Sequence, residues 1–134
     1  MPLDLVLAPS PGTVTQRVVI DEHLLWKLPE ELGVHAPIWT KLGAGAFDDP
    51  ELTMREVEAL AAEVRVLRQH WLASHRERVI RERHINARDY TTRMELADKV
   101  LAERADPTRD LLDRVAALCE AALIAGVGLI GLSD

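Results

Sequence analysis

TMREVEALAAEVRVLRQHWLASHRERVIRER, residues 53–83, is the stretch whose reading decides the fold. Thr53 followed by Glu56 is a capping box: the hydroxyl can accept a first-turn backbone N–H and the carboxylate can reach back to the cap. From there Val57, Leu60, Val64, Leu67 and Trp71 recur at three- and four-residue steps. At roughly 100° per residue they form one apolar stripe, the pattern of a helix lying on a core. No Gly or Pro interrupts the chain between Pro50 and Pro107. The spacing predicts one long helix from Thr53 to about Arg83.

The pattern changes after Trp71. The stripe next presents His75, then Arg78 and Glu82, and from Ser74 to His84 only Val79 and Ile80 are large apolar groups. Arg65, Arg68, Arg76 and Arg83 fall together on a flank roughly 100° from the stripe. The first half of the helix therefore reads as a core helix and the second as a charged one. It leaves the globule, ends early or carries a polar site, and emergence into water is the simplest of these.

Outward toward the N-terminus, Leu3–Ala8 and Thr13–Ile20 alternate polar and apolar residues around the turn Pro9-Ser10-Pro11-Gly12, which predicts a short strand pair. Asp21 is placed to cap a short helix through Leu28, with Pro29 opening or breaking the next turn. One or two helical turns are expected around Ile38 and Trp39. Gly43 to Pro50 then reads as the loop feeding the long helix. Toward the C-terminus, Ile85–Thr91 is where the long helix should stop, and a second capping box, Thr92 with Glu95, starts a helix with Met94, Ala97, Val100 and Leu101 on its apolar face. Asp106-Pro107 marks an N-cap followed by proline at the first helical position, and Gly126 marks the stop of that last helix near Ala125. The tail Val127–Leu132 can add a strand beside the N-terminal pair.

From Val115 to Leu132 only Glu120 is charged, which approaches the length of a membrane span. The glutamate inside it and the glycines at its end favour instead a helix at the centre of a domain or at an oligomer interface. Gly126-Val127-Gly128-Leu129-Ile130-Gly131 spells GxGxxG but follows a helix and precedes no second one, so it is not a dinucleotide fingerprint. Gly43-Ala44-Gly45 precedes no Lys-Ser/Thr pair and is not a phosphate loop.

The chain of 134 residues fits a single domain, 1–134, with a largely aliphatic core, since aromatics make up 4%. Net charge is −6, yet residues 65–93 hold eight Arg against three acids, a local +5, and the rest carries −11. Such a basic ridge on an acidic body suits phosphates, an acidic partner or a second copy of the chain; its plain alternative is a solvated face with pairs such as Arg78–Glu82. The thirteen Arg against three Lys read first as coding bias. Cys119, the one cysteine, lies among Leu118, Ala121 and Ala122 and reads as a packed thiol. No disulfide framework is available to it, as suits a reducing cytoplasm, and no basic region followed by an apolar run marks a signal peptide.

His23, His35, His70, His75 and His84 show no metal-ligand spacing, and no Ser, Thr or Cys stands in a nucleophile context. The best chemical constellation is His75, Arg78 and Glu82 with His84, Arg88 and Asp89, which could hold an anion or place a histidine base beside a carboxylate. A surface salt-bridge network is the competing account. Trp26, Trp39 and Trp71 read as core residues rather than a base-stacking platform.

The expected fold is α+β and mostly helical: a short N-terminal strand pair, a long central helix and two further helices. The leading functional expectation is a small, non-enzymatic cytoplasmic interaction module without cofactor or metal, an immunity- or antitoxin-type binder or a homo-oligomeric scaffold. The alternative is nucleic-acid or phosphate-ligand binding by Arg65, Arg68, Arg76 and Arg83. Third stands an enzyme built around His75 and Glu82. No membrane association is expected. The binding residues singled out are Arg65, Arg68, His75, Arg76, Arg78, Glu82 and Arg83.

Overall fold

The computed structural model describes residues 3–7, 17–44, 51–86 and 88–133. The turn expected at 9–12 and residues 45–50 of the loop expected from Gly43 to Pro50 lie outside them; Gly43 and Ala44 are not loop but the last residues of a helix. In chain order the elements are β1 (Leu3–Leu7), β2 (Arg17–Ile20), α1 (Glu22–Leu32), α2 (Pro37–Ala44), β3 (Glu51–Leu52), α3 (Met54–Glu82), α4 (Tyr90–Ala102), α5 (Pro107–Ala125) and β4 (Leu129–Ser133). The architecture is α+β and mostly helical, with α3 at its centre.

Alternation in β1 and β2 produces the expected antiparallel pair, with Leu3 opposite Ile20 and Leu5 opposite Val18. The tail does join it: β4 runs antiparallel along the other side of β1, with Leu5 opposite Gly131. A fourth strand, β3, pairs through Glu51–Ile130 and Leu52–Leu129, so the sheet order is β2-β1-β4-β3. Two residues are too few to show a period of two, which is why β3 is invisible in the sequence. Val18, Ile20, Leu52 and Leu129 send their side chains into the main core.

The long helix begins as its capping box dictates. The Thr53 hydroxyl accepts the Glu56 N–H at 3.2 Å and the Glu56 carboxylate accepts the Thr53 N–H at 3.2 Å. Val57, Leu60, Val64, Leu67 and Trp71 are all buried, and with Leu111, Leu112, Val115, Leu118 and Ala122 of α5 they form the centre of the core. The contact Arg68–Asp113 (2.6 Å) and the Arg109 guanidinium 5.9 Å from the Trp71 ring set α5 antiparallel to α3. No helix among the described residues is long and apolar enough to cross a membrane.

Past Trp71 the helix does continue, to Glu82, and leaves the main core as it goes. There it packs with α4, which buries Ala97 and Leu101 with Val79 in a separate small cluster edged by Leu72, Ile80, Ile85 and Val100. Residues 72–102 thus form a two-helix arm.

Two helix ends differ from expectation, and a third is capped from another helix. Helix α1 does not stop at Leu28 but runs through Pro29 to Leu32. Proline removes one backbone bond, yet Leu25 and Leu28 are buried, and Gly33, with φ of 66°, closes the end. There Val34 N–H bonds Pro29 O at 2.9 Å and Gly33 N–H bonds Glu30 O at 3.2 Å, a Schellman motif. Helix α4 starts at Tyr90 rather than after Thr92, and the Thr92 hydroxyl instead donates to Asp89 at 3.1 Å. Helix α2 has no capping side chain of its own before Pro37. Glu63 of α3 supplies one, accepting the Ile38 and Trp39 N–H groups at 3.1 and 2.9 Å.

Helix α5 is as expected: Asp106 accepts the Thr108 and Arg109 N–H groups, and Gly126 ends it at φ of 69°. The GxGxxG match dissolves into fold requirements. Gly126 is this cap, and a Cβ on Gly128 would lie 2.0 Å from the Leu52 carbonyl oxygen.

Candidate interaction groove between α3 and α5

The flank of α3 that α4 covers from Leu72 to Val79 lies open nearer the N-terminus. There α3 and α5 border a groove of about 650 Å³. Its floor is Ala61, Val64 and Ala116, small enough that the two helix backbones leave room between them. Leu123 and Ile124 of α5 form an apolar wall, and Ile124 is 80% exposed. Arg65 and Arg68 of α3 and Glu120 of α5 supply the charge. Among the described residues neither Arg65 nor Glu120 has an ion-pair partner, whereas Arg68 is held by Asp113 of α5.

The four arginines expected to act together are divided by the fold. Arg65 and Arg68 belong to this groove. Arg76 lies at the base of the arm, where its Nε and Nη2 donate to the two Asp98 oxygens at 2.6 and 2.8 Å. That pairing raises the guanidinium pKa further. Arg83 is about two turns farther, beside a second, shallower hollow of about 570 Å³ with Lys99 and Glu103. Two of the four thus face carboxylates of neighbouring helices, and the ridge is not one continuous basic surface.

The His75 constellation is likewise not gathered. The His75 ring stacks on Trp71, centroids 4.0 Å apart, and its Nδ1 lies 2.9 Å from the Trp71 carbonyl oxygen. Arg78 and Glu82 make an exposed pair at 3.8 Å. None of the three lines a described cavity. His84 is exposed at a left-handed φ of 51° just past the helix end, which takes it off the face it would share with Arg88. Among the described residues no three His, Cys, Asp or Glu side chains gather as a metal group.

Cys119 is fully buried, and burial pushes its thiol up to about 12. Trp39 and Trp71 are core residues, but Trp26 is 51% exposed and is not. The groove itself was missed by motif reading. The signal it left was the second half of α5, where Glu120 is the single charge from Val115 to Ala125, with Ala116 and Ala61 at positions where two helices face each other. Comparison with protein-family models, curated proteins and solved structures finds no match.

Proposed function

We propose that this chain is a non-enzymatic interaction module whose binding surface is the α3–α5 groove. The observation that carries the reading is the open apolar wall: a large aliphatic side chain, Ile124, 80% exposed beside an unfilled cavity. Apolar surface of this kind, rimmed by charge, suits a protein partner laying a helix into it. The floor of alanines suits a close helix approach.

The phosphate or nucleic-acid reading has less support. Arg68 and Arg76 are engaged by Asp113 and Asp98, leaving Arg65 and Arg83 about five helical turns apart. An enzyme centred on His75 and Glu82 has less support, since among the described residues neither lines one of the cavities above. The acidic balance of the body is the one feature that favours an immunity- or antitoxin-type partner in particular.

A photocrosslinking residue at Ile124, installed in the protein in its own cells, tests the module. A protein adduct that disappears when Ala116→Trp fills the groove is the expected result. Absence of any protein adduct, or an adduct unchanged by Ala116→Trp, overturns the reading.

A further inference from the structure

The charges around the groove restrict who can occupy it. The α3 wall carries Arg65 and the α5 wall carries Glu120, and neither meets an opposite charge among the described residues. A partner presenting one sign of charge would satisfy one wall and oppose the other. A partner presenting acid over Arg65 and base over Glu120 satisfies both, and the chain itself has that arrangement.

We infer that the occupant is a second copy of this chain, docked about a two-fold axis running along the groove; this rests on the interaction-module reading above. The axis places α5 of one copy over α3 of the other. Arg65 then faces Glu120 of the second copy, and the same contact recurs by symmetry. The level of the two residues permits it. With Arg68 bonded to Asp113 and Arg109 over Trp71, Glu120 stands about one helical turn from the level of Arg65, within reach of two long side chains. Ile124 and Leu123 of each copy descend toward the alanine floor of the other. Four helices, α3 and α5 twice, close into a bundle, and the apolar face of α5 that the single chain leaves open is covered. The approach of two acidic bodies sets a long-range repulsion, so the reciprocal ion pairs fix orientation while the apolar contact supplies affinity.

The experiment is sedimentation and native mass spectrometry of the intact protein and three charge variants. The wild type is expected at twice its 14.9 kDa chain mass at micromolar concentration. Arg65→Glu and Glu120→Arg each put like charges together at two symmetric positions and should weaken association about tenfold or more. The double variant Arg65→Glu/Glu120→Arg restores the pairing and should recover most of that loss. Both positions are exposed, so circular dichroism should show all variants folded. A wild type that is monomeric at about 100 µM overturns the inference, as does a double variant no better than the singles. If that monomer still gives an Ala116→Trp-sensitive adduct at Ile124 to a different protein, self-docking alone has failed. If it gives none, the interaction module has failed with it.

Discussion

The Glu63 carboxylate on α3 accepts the backbone N–H of Trp39, at the start of α2, at 2.9 Å, and also that of Ile38 at 3.1 Å. A helix normally finds its cap in the residue just before it. Here Ala36 holds that place, and the capping oxygen comes from a residue more than twenty positions later. Trp39 is in turn fully buried, with its indole N–H donating to the Leu24 carbonyl at 3.3 Å. Glu63→Ala leaves two backbone donors without their acceptor and should cost about 1–3 kcal/mol in urea unfolding. It should also speed amide exchange in α2 before any other helix. A variant as stable as the parent would show that water caps α2 equally well.

Glu56 predicts an acid limb of stability. The Lys41 ammonium bonded to it, and then the Thr53 N–H, hold its carboxyl below the ordinary 4.5. A carboxyl whose folded pKa is depressed stabilises the fold above its unfolded value, and that contribution is lost as pH falls through the folded one. Glu56→Gln keeps an acceptor for the capping box but cannot ionise. The difference in stability between parent and Glu56→Gln should therefore be constant near neutrality and shrink below about pH 4.5. A difference independent of pH down to 3 would remove the charge from the account. Because both side chains are partly solvated, molar salt should diminish the effect as well.

What was legible in the sequence follows from the range of the forces involved. The capping box at Thr53, the proline start at Pro107 and the glycine stop at Gly126 are set within four residues, and each forms where it was expected. The stripe from Val57 to Trp71 was legible because one core takes it up on one side. The end of α1 was misread because Pro29 carries a local cost, while Leu32 beyond it packs against the main core and Gly33 supplies the stop. The Thr92 box went unused because α4 already begins at Tyr90 and the Thr92 hydroxyl is taken up by Asp89, whose side chain caps no backbone N–H itself. The groove left only the apolar run from Val115 as its signal: an exposed Ile124 and a buried Leu118 belong to the same run, and the position of α3 distinguishes them. The Arg ridge was visible as a line of charge, but Asp98 and Asp113, which divide it, lie on other helices.

Cys119 should be silent in the native protein. Its side chain is buried and its thiol is pushed up to about 12, so almost no thiolate exists at pH 8 and a disulfide reagent cannot approach. Labelling then proceeds only through opening of α5. With an ordinary domain stability it should be slower than in urea-unfolded chain by at least about a thousandfold. Stoichiometric labelling within minutes in native buffer would mean that α5 separates from α3 far more often than this core permits.

The arm should open without the rest. Val79, Ala97 and Leu101 form a cluster apart from the main core, and the Arg76–Asp98 pair is its polar fastening. Two bonds in parallel give that pair good geometry, but both side chains keep solvent contact, so its coupling energy in a double-mutant cycle should be about 0.5–1 kcal/mol. Leu101→Ala removes more, about 2–5 kcal/mol of local packing. Most of that loss should fall on the arm, since among the described residues Leu101 packs in the arm's own cluster. Hydrogen exchange of Leu101→Ala should therefore accelerate across residues 76–101 by a larger factor than across Val57–Leu67 or Leu111–Cys119, and the main thermal transition should shift less than the full cost implies. Uniform loss of protection across all helices would show instead that arm and body unfold as one unit. The Arg109 guanidinium, which donates to the Leu101 and Arg104 carbonyl oxygens at 2.8 Å each, would then be the bond that couples them.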